Sequence, residues 1–190
     1  MHELKDLNVL IVDSSGFTRN LLRQILLSLG VTNLAAHAST AAALDAMRQE
    51  LFHVAFCDEN SGKLAPTAFI KALRADIETK NIIIPMVLVT TGADVKMVAQ
   101  WRDSGGSDVV VKPVSPMVIQ SRLISLVLNP KPFVTTRSFI GPDRRHAGER
   151  RHFGERLPVT DRRRSETQDG VVFTAPRTIE TDAEPGAPRS

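Results

Sequence analysis

The alternation of short apolar runs with helix-like segments between residues 8 and 128 is the feature that most constrains the fold of this chain. The apolar runs are unbroken, whereas the segments between them place apolar residues at helical spacing. The runs predict strands at residues 8–13, 34–38, 53–58, 85–90 and 108–112. The intervening segments predict helices at residues 17–29, 40–50, 66–76, 95–104 and 115–128. Unbroken apolar strands are typical of parallel sheets covered on both faces, so we expect an α/β fold with a doubly wound five-stranded parallel sheet.

Charge and composition divide the chain near Pro130. Residues 1–130 hold equal numbers of basic and acidic side chains, so the formal net charge of +3 comes from the remainder. That remainder is poor in large apolar residues, and it should not bury enough surface to offset the entropy of ordering it. The predicted organisation is a folded domain at residues 1–129, a linker at 130–136, an arginine-rich segment at 137–164 and a disordered tail at 165–190.

Several functional classes are disfavoured by the sequence. Its one cysteine excludes an intramolecular disulfide. Apolar stretches stay well short of the roughly 18 residues that a membrane helix needs, and the first residues lack a signal-peptide pattern. The expectation is therefore a cytoplasmic protein without membrane insertion. No P-loop, dinucleotide glycine fingerprint or nucleophile–histidine arrangement is present, so we expect no enzymatic activity beyond a residual aspartyl self-phosphorylation.

Polar side chains follow four of the predicted strands at their carboxyl ends. These residues are Asp13, Asp58, Thr90 and Lys112. The carboxyl ends of parallel strands share one edge of the sheet, where such folds bind their ligands. The sequence therefore predicts that two acids, a hydroxyl and a lysine meet there.

Residues 9–19, 54–60, 84–93 and 108–113 together resemble the response-regulator receiver domains of the CheY type. The resemblance implies a flavodoxin-like receiver fold in which Asp58 accepts a phosphoryl group whose oxygens contact Thr90 and Lys112. It also implies that Asp13, Asp58 and the backbone carbonyl of Asn60 hold Mg²⁺. A carboxylate nucleophile needs such a cation to offset the incoming charge.

The chain departs from that family pattern at several positions. Ser14 stands where the family has a second acid, so Mg²⁺ should bind weakly, and Val109 replaces an aromatic residue. We therefore expect phosphorylation not to be the main input, with Asp58 and Lys112 persisting as a structural ion pair. Trp101 replaces a small residue, and two interpretations remain open for it: a core position, or a docking surface formed by the fourth helix, fifth strand and fifth helix.

The arginine-rich segment contains an acid–arginine pair at every sixth residue. The pairs are Asp143–Arg144, Glu149–Arg150, Glu155–Arg156 and Asp161–Arg162. A period of six fits an extended strand or polyproline II, so the acids would share one side of the chain. Arginine forks suit phosphate and the O6/N7 edge of guanine, while a carboxylate accepts from the Watson–Crick edge of guanine. The repeat therefore predicts a ligand that contains guanine and is anionic.

A receiver followed by such an extension resembles the Cle proteins, which are CheY-like effectors of cyclic di-GMP. The resemblance implies that the extension wraps cyclic di-GMP, with contacts from Arg137, Asp143, Arg144, Arg145, Glu149, Arg150, Arg151 and Arg156. It further implies docking on the flagellar motor switch, an effect on motility and surface attachment, and recruitment to the flagellated pole.

Two alternatives remain. The first is an ordinary phosphorylatable single-domain response regulator with an incidental tail, which the serine at position 14 disfavours. The second is a nucleic-acid binder whose basic tail contacts phosphate backbones, with a steep salt dependence and no preference for guanine. No helix-turn-helix or RNA-binding motif follows residue 130, so nucleic acid is the less favoured partner.

Overall fold

The computed structural model describes residues 4–136, 139–143 and 171–173. The strands of the main domain are β1 (Asn8–Val12), β2 (Asn33–His37), β3 (Val54–Asp58), β4 (Met86–Thr90) and β5 (Asp108–Val111). The helices are α1 (Gly16–Ser28), α2 (Thr40–Gln49), α3 (Pro66–Ala75), α4 (Val95–Asp103) and α5 (Pro116–Leu123), and a π-helical turn (Ile124–Leu128) continues α5. The strands and helices predicted from the sequence are thus confirmed, with boundaries that shift by about one residue, as is usual for element ends.

The sheet has the doubly wound topology that the alternating pattern predicts. Within the described residues its five strands are all parallel and lie in the order β2-β1-β3-β4-β5. The order reverses between β1 and β3, and this reversal opens a crevice at the carboxyl edge of the sheet.

Apolar side chains of each inner strand pack alternately on the two faces of the sheet. In β1, Val9 and Ile11 pack in one cluster with α1 and α5, while Leu10 and Val12 pack in the other with α2, α3 and α4. Because consecutive side chains of a strand point to opposite faces, both must be apolar when helices cover both. The unbroken apolar runs of the sequence are the consequence.

A second, smaller sheet follows the main domain. Strands β6 (Phe133–Thr135), β7 (Ile140–Pro142) and β8 (Val171–Phe173) pair antiparallel in the order β7-β6-β8. The sequence analysis assigns these residues to a linker, the arginine-rich segment and a disordered tail, whereas the structure pairs them. Each strand is only three residues long, which is too short for a period-two pattern to indicate it. In addition, β8 pairs with a strand more than thirty residues away.

Most of the predicted ligand-binding residues lie outside the described residues. This holds for Arg137, Arg144, Arg145, Glu149, Arg150, Arg151 and Arg156, and only Asp143 of that set is described. Among the helices that the structure describes, none combines the length and apolar character needed to cross a bilayer.

Candidate functional site at the carboxyl edge of the sheet

The structure brings the four predicted polar residues together at one edge of the sheet. Asp13 follows β1, Asp58 ends β3, Thr90 ends β4 and Lys112 follows β5. The first three side chains are buried. The prediction of a polar cluster at this edge is therefore confirmed, and its geometry determines what chemistry it can perform.

Asp58 is held on both of its carboxylate oxygens. The Lys112 ammonium donates to Oδ2, and the backbone N–H of Asn60 donates to Oδ1 at 2.9 Å. Asp58 is 4% exposed, so an unpaired charge there would be costly, and the lysine compensates it. Asp58 and Lys112 therefore form an ion pair.

Asp13 is likewise satisfied by its own loop and by α1. The backbone N–H of Ser15 donates to Oδ1 at 2.8 Å, and the Thr18 hydroxyl donates to Oδ2 at 2.5 Å. The Arg19 guanidinium donates to the backbone carbonyl of Asp13 at 2.6 Å. The carboxylate therefore stabilises the turn into α1, where Ser15 is the N-cap.

Ser14 forms a hydrogen bond to the third predicted metal ligand, the backbone carbonyl of Asn60. Its hydroxyl donates to the backbone carbonyl oxygen of Asn60, with 2.5 Å between the two oxygens. The proposed Mg²⁺ donors are therefore two hydrogen-bonded carboxylates and a carbonyl that already accepts a hydrogen bond. Among the described residues there is also no group of three or more His, Cys, Asp or Glu side chains that could hold a metal. Each of these oxygens keeps a second lone pair for a cation, but only two of the three donors are charged. Weak binding of Mg²⁺ at these residues therefore stays a prediction.

Glu59 is a member of the site that the sequence analysis missed. Its carboxylate accepts from the Thr90 hydroxyl at 2.5 Å, and from the backbone N–H and the hydroxyl of Thr91 at 2.7 Å each. Partial burial raises the pKa of Glu59, but these hydrogen bonds and the nearby Lys112 charge outweigh it, so the pKa lies below its ordinary value. The signal was present in the sequence as an acid directly after Asp58, but its partner is more than thirty residues away.

A cavity of about 220 Å³ lies beside the ion pair. Asp13, Asp58 and Lys112 line its polar end, and apolar side chains that include Leu22 and Phe56 line the rest. The site is therefore a real cleft with room for a small group beside Lys112.

Trp101 belongs to the core, which settles the two interpretations in favour of the first. Its side chain is 1% exposed and packs in the cluster between the sheet and α2, α3 and α4. The indole N–H donates to the backbone carbonyl of Asp108 at 2.9 Å. The ring lies against Gly106, where an added Cβ would sit 2.2 Å from Nε1. A glycine at this position thus makes space for the tryptophan.

Asp143 is not part of this cluster. It follows β7, and its backbone N–H donates to the carbonyl of Pro132 at 2.7 Å. The predicted messenger-binding segment therefore begins in the small C-terminal sheet, apart from Asp58 and Lys112.

Known proteins share the receiver part of this chain. Chemotaxis protein CheY of Pseudomonas aeruginosa is 26% identical over 117 residues, which cover 62% of this chain and 93% of that protein. Chemotaxis protein CheY-3 of Vibrio cholerae is 24% identical over 119 residues, covering 63% and 90%. The solved structure of Vibrio cholerae chemotaxis protein CheY4 matches with a TM-score of 0.57 and 25% identity, covering 62% of this chain and 95% of that one.

The sequence of residues 9–124 also matches the response regulator receiver domain family. The match spans more than half of the chain and contains every member of the polar cluster described above. The parallel sheet in the order β2-β1-β3-β4-β5, with its acids and lysine at the carboxyl edge, agrees with that match. This chain therefore belongs to the response regulator receiver domain family.

Proposed function

We propose that this protein is an effector of cyclic di-GMP, in which a ligand of the C-terminal extension replaces phosphorylation as the input. The hydrogen bond from Ser14 to the carbonyl of Asn60 is the observation that carries the proposal. The acceptor is a backbone oxygen that receiver domains offer to a metal. The donor, Ser14, stands where the family has a metal-binding acid. The Thr90 hydroxyl, which the family pattern places against the phosphoryl group, donates a hydrogen bond to the Glu59 carboxylate.

The arginine-rich segment supplies the alternative input. Its arginines and acids alternate in a regular six-residue register, and from residue 132 onward every basic residue other than histidine is arginine, with no lysine. Forked donors and paired acceptors suit the two guanines and two phosphates of cyclic di-GMP better than a plain polyanion. Ordering a free segment costs roughly 2–5 kcal/mol. A few charge-assisted hydrogen bonds, at about 1.5–3 kcal/mol each, offset that cost.

The output is docking of the receiver on a protein partner, for which the flagellar motor switch is our candidate. Each element around the edge strand exposes an apolar side chain: Val95 of α4, Val111 of β5 and Met117 of α5 are 87%, 47% and 77% exposed. Exposed apolar side chains on a neutral domain favour a protein partner over nucleic acid. The similar proteins named above are chemotaxis proteins, which supports a role in motility.

Calorimetric titration of the full-length protein with cyclic di-GMP tests the proposal. We expect binding that weakens by about a hundredfold when Arg144→Ala and Arg145→Ala are combined, since each 1.4 kcal/mol is tenfold in affinity. Arg177→Ala combined with Arg189→Ala is the matched control, because it removes the same charge outside the repeat. The control should bind as the wild type does.

Absence of binding by the wild-type protein would overturn this function, and so would equal losses in the two double variants. Equal losses would mean that bulk charge, not the repeat, holds the ligand. A competition between cyclic di-GMP and single-stranded RNA separates the nucleic-acid alternative. Under that alternative RNA would displace the dinucleotide, with a steep dependence on salt.

A second candidate is phosphorylation at Asp58. The arrangement of Asp58 against Lys112, beside a cleft of about 220 Å³, favours it. It requires that Ser14 and Glu59 release Asn60 and Thr90. Incubation with acetyl phosphate and Mg²⁺ tests it by mass spectrometry: stoichiometric labelling that disappears in Asp58→Asn would establish phosphorylation as an input.

A further inference from the structure

A buried arginine joins the receiver to the start of its C-terminal extension. Arg74, near the end of α3, is 6% exposed. Its guanidinium donates to the carbonyls of Ile84 at 2.8 Å and Gly105 at 3.3 Å, and also to Ile82. It also lies over the ring of Phe133, 5.1 Å from the ring centroid. One cation thus contacts the segment before β4, the loop between α4 and β5, and strand β6.

The same arginine has no anionic partner among the residues that the structure describes. Burial lowers its pKa to about 9, so the guanidinium is still charged at neutral pH. Its Nε–H has no hydrogen-bond partner within the described structure. Burying this cation is costly, and its hydrogen bonds to carbonyls and its contact with an aromatic face offset the cost only while the segments that supply them stay in place. Here those segments include the buried Phe133 of the extension.

Strand β7 approaches the receiver at two glycines. A Cβ built on Gly141 would lie 2.8 Å from the Cα of Gly105, and one built on Gly105 would lie 2.4 Å from the carbonyl oxygen of Ile140. Distances this short leave no space for a side chain at either position. Gly105 also has φ of +98°, a conformation that glycine adopts without strain. The contact therefore depends on glycine in both the receiver and the extension.

From these contacts we propose that the receiver carries a docking site for residues 132–136 and 139–143 of its own extension, formed by Arg74 and Gly105, and that docking there is coupled to binding of the messenger by the arginine repeat. The coupling rests on the function proposed above. Strand β7 ends at Pro142, and the next residue, Asp143, donates its backbone N–H to the carbonyl of Pro132. Arg144 is the next residue.

Docking lowers the conformational entropy that the arginine-rich segment loses when it binds the ligand. A binding segment that is fixed at Asp143 has fewer conformations to lose, so its affinity for the ligand is higher than that of a free chain. Linkage makes the effect reciprocal, so the messenger should stabilise the docked strand by the same factor.

The docking site also lies next to an internal reporter. Gly106, which adjoins Gly105, contacts the ring of Trp101, the chain's single tryptophan. The carbonyl that accepts from Trp101 belongs to Asp108, and the Asp108 carboxylate pairs with Arg122 of α5 at 3.2 Å. A shift of the docked strand should therefore change Trp101 fluorescence.

Gly141→Ala in the full-length protein tests the inference, because it adds a methyl group at the contact without altering the receiver. Phe133→Ala is a second variant that removes the ring beneath Arg74. Gly16→Ala is the matched control, since its added Cβ would meet only Arg19 at 3.8 Å. Hydrogen exchange of the Asp143 amide reports docking, and titration with cyclic di-GMP, followed by calorimetry and Trp101 emission, reports coupling.

We expect slow exchange of the Asp143 amide in the messenger-free wild type, further slowing with cyclic di-GMP, and fast exchange in Gly141→Ala. Both docking variants should bind the messenger about tenfold more weakly, within the usual range of coupling, and the control should not. Exchange in the wild type at the rate of an unfolded peptide would overturn docking. Unchanged affinity in both docking variants would overturn coupling. A wild type that binds no cyclic di-GMP would overturn the proposed function and the coupling, whereas the exchange measurement would still decide docking.

Discussion

The hydroxyl of Ser14 donates a hydrogen bond to the backbone carbonyl of Asn60, and 2.5 Å separate the two oxygens. An acid at position 14 could not make this contact, because an ionised carboxylate has no proton to donate and would face the carbonyl oxygen with its negative charge. A bridging cation would resolve that repulsion. Serine avoids it without one, because its hydroxyl donates to the carbonyl of Asn60.

Ser14→Asp should restore a cation site. The substitution removes the donor to Asn60 and adds a third carboxylate near Asp13 and Asp58, so Mg²⁺ becomes the group that balances the charge. We expect Mg²⁺-dependent labelling by acetyl phosphate to rise at least tenfold above the wild type, since one added carboxylate should be worth more than about 1.4 kcal/mol of metal affinity. Intact-mass spectrometry measures it.

Ser14→Ala separates the two effects of that change. It frees the carbonyl of Asn60 without adding a ligand, and it should stay as poorly labelled as the wild type. Labelling of Ser14→Asp no greater than that of Ser14→Ala would contradict the interpretation that the missing acid limits Mg²⁺ binding.

Gly106→Ala should destabilise the receiver. Its Cβ would lie 2.2 Å from Nε1 of Trp101, so the buried ring must move. Overpacking of this kind costs about 1–3 kcal/mol, to be measured by denaturant unfolding. Gly16→Ala, with an uncrowded Cβ in helix α1, should not lower the free energy of unfolding. The cost should shrink when Gly106→Ala is made in a Trp101→Leu background, and an equal cost in both backgrounds would show that the ring is not its cause.

The thiol of Cys57 should be inert in the folded protein. Burial raises its pKa to about 12, and the thiolate is the reactive form. At neutral pH a thiol reagent should label the native protein only as fast as it unfolds, but label the denatured protein at once and stoichiometrically. Because the chain has one cysteine, the labelling rate measures opening of the core directly. Rapid stoichiometric labelling under native conditions would be inconsistent with the buried position.

Glu59 should make stability depend on acid pH. Hydrogen bonds from Thr90 and Thr91 outweigh the effect of burial and hold the folded pKa below its ordinary value of 4.5. The ionised form is thus preferred in the folded state, so its contribution is fully present above pH 4.5 and is lost as pH falls through the lower folded pKa.

Thermal unfolding of Glu59→Gln against the wild type, from neutral to acid pH, measures that contribution. The variant should unfold at lower temperature near neutral pH, and the difference should close in acid. Glu50→Gln removes an exposed carboxylate as the control and should show no such convergence. A difference between Glu59→Gln and the wild type that does not change with pH would mean that the charge of Glu59 contributes nothing.

The sequence by itself determined the receiver fold and the position of its polar cluster. The information is local: unbroken apolar runs require burial on both faces, and a polar residue at the end of each run must lie at the carboxyl edge of a parallel sheet. Asp13, Asp58, Thr90 and Lys112 could therefore be named before any coordinates.

Only the tertiary structure decided what those residues contact. The bond from Ser14 to Asn60, the bond from Thr90 to Glu59 and the approach of Gly105 to Gly141 each join residues at least thirty positions apart. Trp101 and Gly106 are closer in sequence, but on a short helix the periodicity of apolar residues does not predict whether a tryptophan is buried or exposed. Such contacts arise from the packing of whole elements, which brings together side chains whose identities do not depend on their neighbours along the chain.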